Sequence, residues 1–365
     1  MSKQILKGAV IGYGFISSKG HIPSYLARDK NEVKIIAVAD ICEARRALAK
    51  IALPEARIYS DYQSLILAES DQLDFVDIAT PPCDHAKIAH AALDAGMHVL
   101  CEKPITTTLE EAASLIKKAN DVKRVFFPCH NYKHAPVVKA IREIIESGRI
   151  GVVRSVNLST YRNTHALGVP EWNTHWRRAF ETSGGGIAMD HGSHSFYLTF
   201  EWLGSYPTAV TAKMSNLEPK KYDTEDNFTT ALTFPNGLAQ CQLSWTAGVR
   251  KVIYAIQGTS GAITVNDDEI EIAIQVKTND ANEAQVAQGA VEWKVEKKSI
   301  SSHWMDASHV SWFSALFDQF QNAIKSQDYA GKEAKEAYRC IEIITRAYES
   351  ARSGCKELSI GESSL

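Results

Sequence analysis

The stretch Gly8-Ala9-Val10-Ile11-Gly12-Tyr13-Gly14-Phe15-Ile16-Ser17 runs a short apolar strand directly into a Gly-x-Gly turn. Gly12 allows a tight passage from strand to helix, and Gly14 lets the backbone approach a pyrophosphate at the positive end of that helix. Ser17 stands where this pattern prefers Gly or Ala, but it is small enough to keep the helix close to the strand. The stretch therefore predicts a dinucleotide site, with a tight turn in some other α/β protein as the alternative.

A second apolar run, Val33–Ala39, ends in Asp40, as a buried parallel strand should. A carboxylate at this position can accept hydrogen bonds from the adenosine ribose hydroxyls and would repel the extra phosphate of NADP. We therefore expect NAD rather than NADP as the cofactor. Arg45 and Arg46 follow on the next helix and could bind a 2′-phosphate, but a solvated helix face is the expected place for both.

The composition indicates a globular protein with no charged macromolecule as its partner. The chain has 365 residues, enough for roughly two domains. Its net charge of −3, with no long basic block, argues against nucleic acid and against a membrane surface. The first strand begins by about Lys7, which leaves no room for a signal peptide, and no apolar run is long enough to span a membrane.

The seven cysteines are scattered along the chain and form no Cys-x-x-Cys pair. We therefore expect neither a disulfide framework nor a zinc site built from cysteines. The reducing cytoplasm is the compartment that fits this cysteine usage.

Strands and helices alternate along the first third of the chain, which predicts parallel β/α units. The expected strands are Phe75–Thr80, His98–Cys101 and Arg124–Cys129, and the expected helices are Asp84–Ala95 and Leu109–Asn120. After Gly151 the pattern changes to strands of alternating polarity, and Pro235-Asn236-Gly237 predicts a hairpin between two of them. Those strands are Val152–Tyr161, Asn227–Phe234, Leu238–Trp245, Lys251–Gln257 and Glu269–Val276, and two closing helices are expected near His309–Lys325 and Lys332–Arg352.

The predicted fold is therefore α/β in two domains. Residues 1–128 form an N-terminal Rossmann domain with a doubly wound parallel sheet. Residues 129–365 form a C-terminal α+β domain for substrate binding and oligomerisation, with a large, open and mostly antiparallel sheet. The segment Thr278–Gly289 is polar enough to be a mobile excursion.

Two further motifs follow expected strands, at the carboxyl ends where parallel sheets bind ligands. They are Thr80-Pro81-Pro82-Cys83-Asp84-His85 and Glu102-Lys103-Pro104. Together with Gly12-Tyr13-Gly14 and Asp40, this order resembles the Gfo/Idh/MocA family of nicotinamide-dependent sugar and cyclitol oxidoreductases. Asn131-Tyr132, Asp190-His191-Gly192-Ser193-His194 and Ala347-Tyr348-Glu349-Ser350-Ala351 also match landmarks of that family, so the resemblance covers nearly the whole chain.

The resemblance implies that Lys103 and His194 share the reacting oxygen, and the residue types fit this role. A lysine cation can stabilise alkoxide character, and a histidine titrates near the working pH. Asp190 lies four residues before His194, so on a helix it could orient the imidazole. A salt-bridged helix face or a helix cap is the alternative for Asp190.

Further site residues are expected from the same family pattern and, for Tyr161, His175 and Trp176, from a polar and aromatic cluster in the sequence. The cofactor-binding residues are expected to be Gly12, Gly14, Phe15, Ile16, Asp40, Thr80, Pro81, Pro82, His85, Glu102, Lys103 and Asn131. The substrate-binding residues are expected to be Lys103, Tyr132, Tyr161, His175, Trp176, Asp190, His191 and His194. Arg162, His165, Trp172 and Arg177 belong to the same polar and aromatic cluster, whose alternative role is ordinary packing.

We expect no metal site. His191 lies three residues before His194, but three ligands with fixed separation are not evident, and a supporting hydrogen bond is the expected role for His191. Gly184-Gly185-Gly186 precedes this helix and either lets the backbone approach a ligand or gives the helix a flexible entry.

The leading hypothesis is an NAD-dependent dehydrogenase acting on a secondary hydroxyl of a sugar, sugar derivative or cyclitol. One alternative is an NAD-dependent glycoside hydrolase with transient oxidation and no net redox change. Another is a non-catalytic regulator that binds sugar or NAD. The resemblance also implies a homodimer or homotetramer. We expect it to assemble through the outer face of the second-domain sheet, because an open sheet with residues such as Phe228, Leu232, Leu243 and Trp245 on one side or the other would leave a large apolar patch.

Overall fold

The protein, seen in a computed structural model, is described for residues 5–276, 292–301 and 309–361. The strands of the first sheet are β1 (Leu6–Ile11), β2 (Val33–Ala39), β3 (Arg57–Tyr59), β4 (Phe75–Ile78), β5 (His98–Cys101) and β6 (Phe126–Pro128). They are parallel and lie in the order β3-β2-β1-β4-β5-β6, the doubly wound order of Rossmann domains. Successive residues of β1 and β4 enter two different apolar clusters, one on each face of the sheet.

Helices follow the strands and cover the sheet. They are α1 (Ile22–Leu26), α2 (Glu43–Ala52), α3 (Tyr62–Glu69), α4 (His85–Asp94), α5 (Leu109–Val122) and α6 (Pro136–Glu146), with a π-helical turn at Ser17–His21 leading into α1. Side-chain caps set two of these helix starts, because Asp61 accepts a hydrogen bond from the N–H of Ser64 and Thr108 from that of Glu111. The predicted alternation of strands and helices is confirmed.

A second sheet of nine strands occupies the other half. Its strands are β7 (Val153–Tyr161), β8 (Ala209–Ser215), β9 (Asn227–Phe234), β10 (Gly237–Ser244), β11 (Lys251–Gly258), β12 (Gly261–Asn266), β13 (Glu269–Val276), β14 (Glu292–Ser299) and β15 (Leu358–Ser359). They lie in the order β14-β13-β12-β11-β7-β10-β9-β8-β15. Only the pair β7 and β10 is parallel among these described neighbours, so the expectation of a mostly antiparallel sheet is confirmed.

The predicted hairpin joins β9 to β10. Phe234 pairs with Gly237, so Pro235 and Asn236 form a two-residue turn. Sequence analysis did not identify β8, β12 or β14, and β14 carries charged side chains along most of its length. The expected excursion Thr278–Gly289 lies outside the described residues.

Four helices complete the described fold of the second half: α7 (Phe180–Ser183), α8 (Ile187–Leu203), α9 (Val310–Ser326) and α10 (Lys332–Arg352). Helix α8 packs on β7 and β10 and is buried along most of its length. Helix α10 contacts α8 and β8 as well as α5 and β6, so it lies between the two sheets. Within the described ranges, no helix has both the length and the apolar character needed to cross a bilayer.

Helix α9 returns to the first sheet. The rings of Phe317 and Phe320 lie 5.5 Å and 5.6 Å from the ring of Phe75 on β4. Phe320 also lies 6.0 Å from Phe127 on β6. Helix α9, which lies after residue 129 in the chain, thus contributes to the core of the first sheet. A domain boundary at 128/129 assigns this helix to the other domain.

The second sheet has one covered face and one open face. Phe228, Leu232, Leu243 and Trp245 are all at most 2 % exposed and therefore lie on the covered face. The alternation along each strand turns these large apolar side chains inward. The opposite face carries mainly Thr, Gln, Ser and Asn, with exposed apolar side chains at Leu238, Ile253, Trp293 and Val295.

Candidate active site

A cleft of about 700 Å³ opens at the carboxyl ends of the first-sheet strands and extends to helix α8 and the loops of the second half. Open parallel sheets bind their ligands at this edge. Of the residues expected from the sequence, those on the cleft wall are Gly12, Gly14, Phe15, Ile16, Asp40, Thr80, Pro81, Pro82, Glu102, Lys103, Asn131, Tyr132, Trp176, Asp190, His191 and His194. The two halves of the chain therefore build one continuous cleft.

The glycine turn after β1 leaves room for a phosphate group. Gly12 has a φ of +93°, and a Cβ there would lie 2.8 Å from the backbone of Ala79, so only glycine fits. A Cβ added to Gly14 would meet no atom within 4 Å. Because Gly14 also lines the cleft, a pyrophosphate can approach its backbone directly.

Asp40 lies directly after β2, and two backbone N–H groups hold its carboxylate. The N–H of Tyr13 donates to Oδ2 at 2.6 Å, and the N–H of Cys42 donates to Oδ1 at 2.7 Å. Each carboxylate oxygen has a further lone pair, and Asp40 lines the cleft. The position fits a carboxylate that accepts hydrogen bonds from ribose hydroxyls.

Arg45 is buried, so the expected solvated helix face is wrong for this residue. Its Nε donates to the carbonyl of Tyr13 at 2.7 Å, and its Nη2 donates to Ser18 Oγ at 3.2 Å. Arg46 donates from Nη1 to the carbonyl of Asp40 at 2.9 Å. Both arginines therefore bind backbone carbonyls: Arg45 those of the glycine turn, and Arg46 those at the end of β2.

Lys103 reaches across the cleft to the first turn of α8. Its Nζ donates to the carbonyl oxygen of Asp190 at 2.7 Å and to the carboxylate Oδ1 at 3.2 Å. Arg177 Nε lies 3.5 Å from the same carboxylate oxygen. Burial disfavours the charge of Asp190, but Lys103 and Arg177 outweigh it and hold the pKa of this carboxyl well below its usual range. Asp190 is therefore ionised and shared between two cations.

His194 lies on α8 with its ring stacked on Tyr132 at a centroid separation of 3.8 Å. Its Nδ1 lies 2.6 Å from the hydroxyl of Tyr197, which leaves Nε2 as the nitrogen available to a ligand. Burial and the positive charge of Lys103 lower the pKa of His194 well below its ordinary value, so the ring is neutral at neutral pH. We expected Asp190 to orient His194. Among the described residues, the side chain that hydrogen-bonds this ring is Tyr197, so Tyr197 orients it instead. The carboxylate of Asp190 pairs with Lys103 across the cleft.

A buried histidine that sequence analysis did not identify supports the Glu102-Lys103-Pro104 motif. His21 Nδ1 lies 2.7 Å from Asp77 Oδ2, and its Nε2 lies 2.9 Å from Glu102 Oε1. Burial opposes a charged ring, but Asp77 and Glu102 outweigh it and raise the pKa of His21 to about 10. An imidazolium between two carboxylates therefore lies beneath the cleft floor, and Glu102 Oε2 accepts a hydrogen bond from the N–H of Lys103 at 3.1 Å.

Three of the expected site residues, His85, Tyr161 and His175, lie off the cleft wall and have other partners. The ring nitrogens of His85 each lie 2.8 Å from a backbone carbonyl oxygen, those of Thr80 and Pro104, so this side chain ties two cleft loops together. Tyr161 lies on the open face of the second sheet and donates from its hydroxyl to Gln242 at 2.8 Å. The expected substrate contact of Tyr161 is wrong, because alternation along β7 turns this ring away from the cleft.

His175 is exposed and does not line the cleft, and its Nδ1 lies 2.9 Å from Nε2 of His165, which does line the cleft. Two wall or support residues, Arg250 and Tyr197, were missed by sequence reasoning. The position of Tyr197, three residues after His194 on one helix, is a spacing that could have indicated it. No sequence signal singles out Arg250, which follows β10 in a loop.

Within the described part of the chain, two groups bring three atoms of metal-ligand type within 4.8 Å of one another: His21, Glu102 and Cys129, and His130, Glu333 and Glu336. The second group already holds a cation of the protein, because Lys133 Nζ lies 2.7 Å from Glu333 and also contacts Glu336. His191 belongs to neither group.

The Rossmann sheet, the glycine turn and Asp40 together define a dinucleotide-binding protein, and Lys103 and His194 lie in the same cleft. Residues 6–130 match the family described as "Oxidoreductase family, NAD-binding Rossmann fold", and residues 138–264 match the "GFO/IDH/MocA C-terminal domain". The chain belongs to the Gfo/Idh/MocA family, as the sequence motifs indicated. It is an NAD-dependent oxidoreductase of that family.

Several dehydrogenases are similar to this chain. Levoglucosan dehydrogenase of Pseudarthrobacter phenanthrenivorans is 28% identical over 312 residues, which cover 74% of this chain and 76% of the relative. D-glucoside 3-dehydrogenase of Escherichia coli is 29% identical over 255 residues, which cover 65% of this chain and 69% of the relative.

Solved structures confirm the fold. Levoglucosan dehydrogenase in complex with NADH superposes with a TM-score of 0.82 at 24% identity, covering 99% of this chain and 100% of that chain. GenD2 from gentamicin A biosynthesis, in complex with NAD, superposes with a TM-score of 0.80 at 24% identity, covering 99% of this chain and 98% of that chain. At this identity the superpositions establish the fold alone.

We predict that Asp40 makes the protein prefer NAD(H) to NADP(H). Asp40→Ala should weaken NAD binding by about tenfold, because it removes a charged acceptor of ribose hydrogen bonds, while NADP binding should change little or improve. Calorimetric titration of both cofactors into wild type and variant measures this. Glu43→Gln is the matched control, because it removes an exposed carboxylate nearby that does not line the cleft. Equal affinity of the wild type for both cofactors would contradict the assignment.

Proposed function

We propose that this protein transfers a hydride between a secondary hydroxyl of a sugar, sugar derivative or cyclitol and the nicotinamide of NAD. The observation that carries the proposal is the combination of a lysine ammonium and a neutral, buried histidine in the cleft that also holds the glycine turn. Oxidation of an alcohol requires a proton acceptor and a positive charge near the oxygen that loses the proton. Lys103 and His194 supply these two groups.

The cleft fits a dinucleotide, because Gly14 leaves open space at the turn and Asp40 offers carboxylate oxygens to a ribose. A bound nicotinamide supplies the acceptor for the hydride that leaves the alcohol carbon. The carbon thus loses a hydride, the hydroxyl loses a proton to the protein, and a carbonyl group remains.

His194 is the group that takes the proton. With Nδ1 bonded to the hydroxyl of Tyr197, Nε2 is the basic nitrogen that faces a ligand. In the neutral tautomer that leaves Nε2 free to take a proton, Nδ1–H donates to the Tyr197 oxygen, and it still does so once Nε2 is protonated. The Tyr197 oxygen also accepts a hydrogen bond from the N–H of Tyr132 at 3.2 Å. Tyr197 therefore holds the ring in one orientation before and after the proton moves.

Lys103 is the group that stabilises the oxygen. An ammonium has three N–H donors, and two of them are directed at the carbonyl and carboxylate of Asp190. The third is available to a substrate oxygen. Asp190 therefore acts through Lys103, as a positioning residue.

The substrate class rests on the aromatic and polar wall of the second half, including Tyr132 and Trp176, which suits a sugar ring. Relatives that act on levoglucosan and D-glucosides support the same class. Steady NADH formation across a panel of sugars, glycosides and inositols tests the proposal. Sugar release without net NADH formation would favour the redox-neutral hydrolase instead.

His194→Ala should lower kcat by about 10² to 10⁴ while leaving NAD affinity nearly unchanged, because a positioned general base is lost. Lys103→Ala should cause a loss of the same order. Turnover and NAD affinity measured on purified variants test this, with His90→Ala as the control, since His90 lies on α4 away from the cleft wall. Near wild-type turnover of folded, NAD-bound His194→Ala would place the base elsewhere, with His191 as the next candidate.

The pH profile should report the lowered pKa of His194. Burial, Lys103 and His191 lower this pKa and outweigh the opposing charge of Asp190. The imidazole therefore stays unprotonated at pH values below 6.5, the ordinary pKa of histidine. The value of kcat/KM for alcohol oxidation should therefore fall only at pH values below 6.5. A rate profile from about pH 4.5 to about 9, a range that spans the ordinary pKa of histidine, measures it. An acid limb centred above 6.5 would contradict the assignment.

We also propose that copies of this chain associate through the open face of the second sheet. Leu238, Ile253, Trp293 and Val295 lie exposed on that face. Light scattering at micromolar concentration should report a dimer or tetramer, and charged substitutions at Leu238 and Ile253 should shift it toward a monomer. A wild-type monomer would rule out this assembly.

A further inference from the structure

Among the described residues, the substrate end of the cleft carries more positive than negative charge. The cations on this part of the wall are Lys103, Arg162, Arg177 and Arg250. The carboxylates are Asp190, which pairs with Lys103 and Arg177, and Glu102, which pairs with the buried His21. From this arrangement we infer that the substrate carries an anionic group, such as a carboxylate, which binds to Arg162. The inference rests on the proposed function and narrows its substrate class to acidic sugars or cyclitols.

Arg162 is a buried cation without an anionic partner among the described residues. It follows β7, is 9 % exposed and lines the cleft. Its Nη1 donates to the carbonyl oxygens of Tyr161 at 2.8 Å and of Lys251 at 3.3 Å. Both acceptors are neutral, and no carboxylate of the described ranges lies within ion-pair distance of the guanidinium.

The titratable groups of α8 do not serve as a counter-ion for Arg162. Burial, together with Arg162, Lys103 and Arg177, lowers the pKa of His191 to about 3 despite the opposing effect of Asp190, so this imidazole is neutral. Asp190 itself is engaged by Lys103 and Arg177. Arg162 is thus close enough to act on α8 electrostatically, but the aspartate of α8 is not its partner.

A second guanidinium strengthens the positive field. Arg250 also lines the cleft, and burial together with Arg162 lowers its pKa. The effect of Arg162 on the pKa of Arg250 shows that the two positive charges lie close enough to interact. An anion bound at Arg162 would therefore also lie in the field of Arg250.

Physical chemistry favours an anion as the missing partner. A buried charge that lacks a countercharge is costly, and pairing it with an oppositely charged group recovers much of that free energy. The planar guanidinium matches a carboxylate or phosphate with two parallel hydrogen bonds. A neutral hydroxyl offers no such compensation, so a neutral sugar should bind less tightly than its acid.

Matched substrate pairs test this directly. Initial rates of NADH formation are measured for D-glucuronate against D-glucuronamide and for D-galacturonate against D-galacturonamide, because each pair differs mainly in charge. Glucose 6-phosphate against glucose forms a second arm that separates a phosphate from a carboxylate. We expect the wild type to favour the anionic member of a pair by at least about tenfold in kcat/KM, the effect of one charge-assisted hydrogen-bond pair.

Variants of Arg162 assign the effect to this residue. Arg162→Gln should raise KM for the anionic member by about tenfold or more, with a change under about threefold for the neutral member. Arg162→Lys should retain part of the preference, because it keeps the charge but loses the planar fork. Arg154→Gln is the matched control. Arg154 lies exposed at the start of β7, the strand that Arg162 follows, and donates to the carbonyl of Asn236. NADH binding, followed by fluorescence, checks that each variant is folded.

The outcomes separate this inference from the proposed function. Equal or better turnover of the neutral members would overturn the inference and leave the dehydrogenase intact. A preference for the acids that survives Arg162→Gln, in folded protein, would overturn the role of Arg162. The absence of NADH formation from every member of every pair would count against the proposed function, and the inference would fall with it.

Discussion

The active-site end of this protein depends on one buried imidazolium. His21 lies between the carboxylates of Asp77 and Glu102, which belong to β4 and to the loop after β5, and the three groups are enclosed by the core. Two buried carboxylates would repel each other, so a protonated ring between them is what permits both to remain charged. The hydroxyl of Tyr25 adds a third contact by donating to Asp77 at 2.7 Å. This cluster fixes the position of Glu102, and therefore the starting point of the Glu102-Lys103-Pro104 motif.

From that point the chain of contacts leads across the cleft. Glu102 accepts the N–H of Lys103, and the ammonium of Lys103 binds the carbonyl and carboxylate of Asp190 at the start of α8. A residue of the Rossmann half is thereby joined to a helix of the second half at the place where chemistry is proposed. Helix α10 reinforces the same arrangement, because it packs on elements of both halves. The contact of Lys103 with Asp190 and the packing of α10 thus hold the two halves together at the cleft.

The sequence predicted the parts of the site that depend on local geometry. Gly12 must adopt a positive φ next to Ala79, and a carboxylate at the end of the second strand must lie beside the glycine turn, so both follow from strand order alone. The pairing of Asp190 with His194 was a different kind of prediction. A spacing of four residues brings two side chains to one helix face but does not choose their partners. In the structure Lys103 binds the carboxylate of Asp190 and Tyr197 binds the ring of His194, so the two residues do not pair with each other.

The sequence by itself determined the fold class, the dinucleotide site and the family, because turn glycines, apolar strands and their order are local and periodic signals. It also identified the lysine and the histidine of the cleft. Only the tertiary structure decided that Tyr161 faces outward, that His21 is a buried cation and that Arg162 meets the cleft without a carboxylate partner in the described ranges. These facts depend on which strands become neighbours and which face of each is covered. Burial and charge pairing are properties of residues distant in sequence, so no local pattern encodes them.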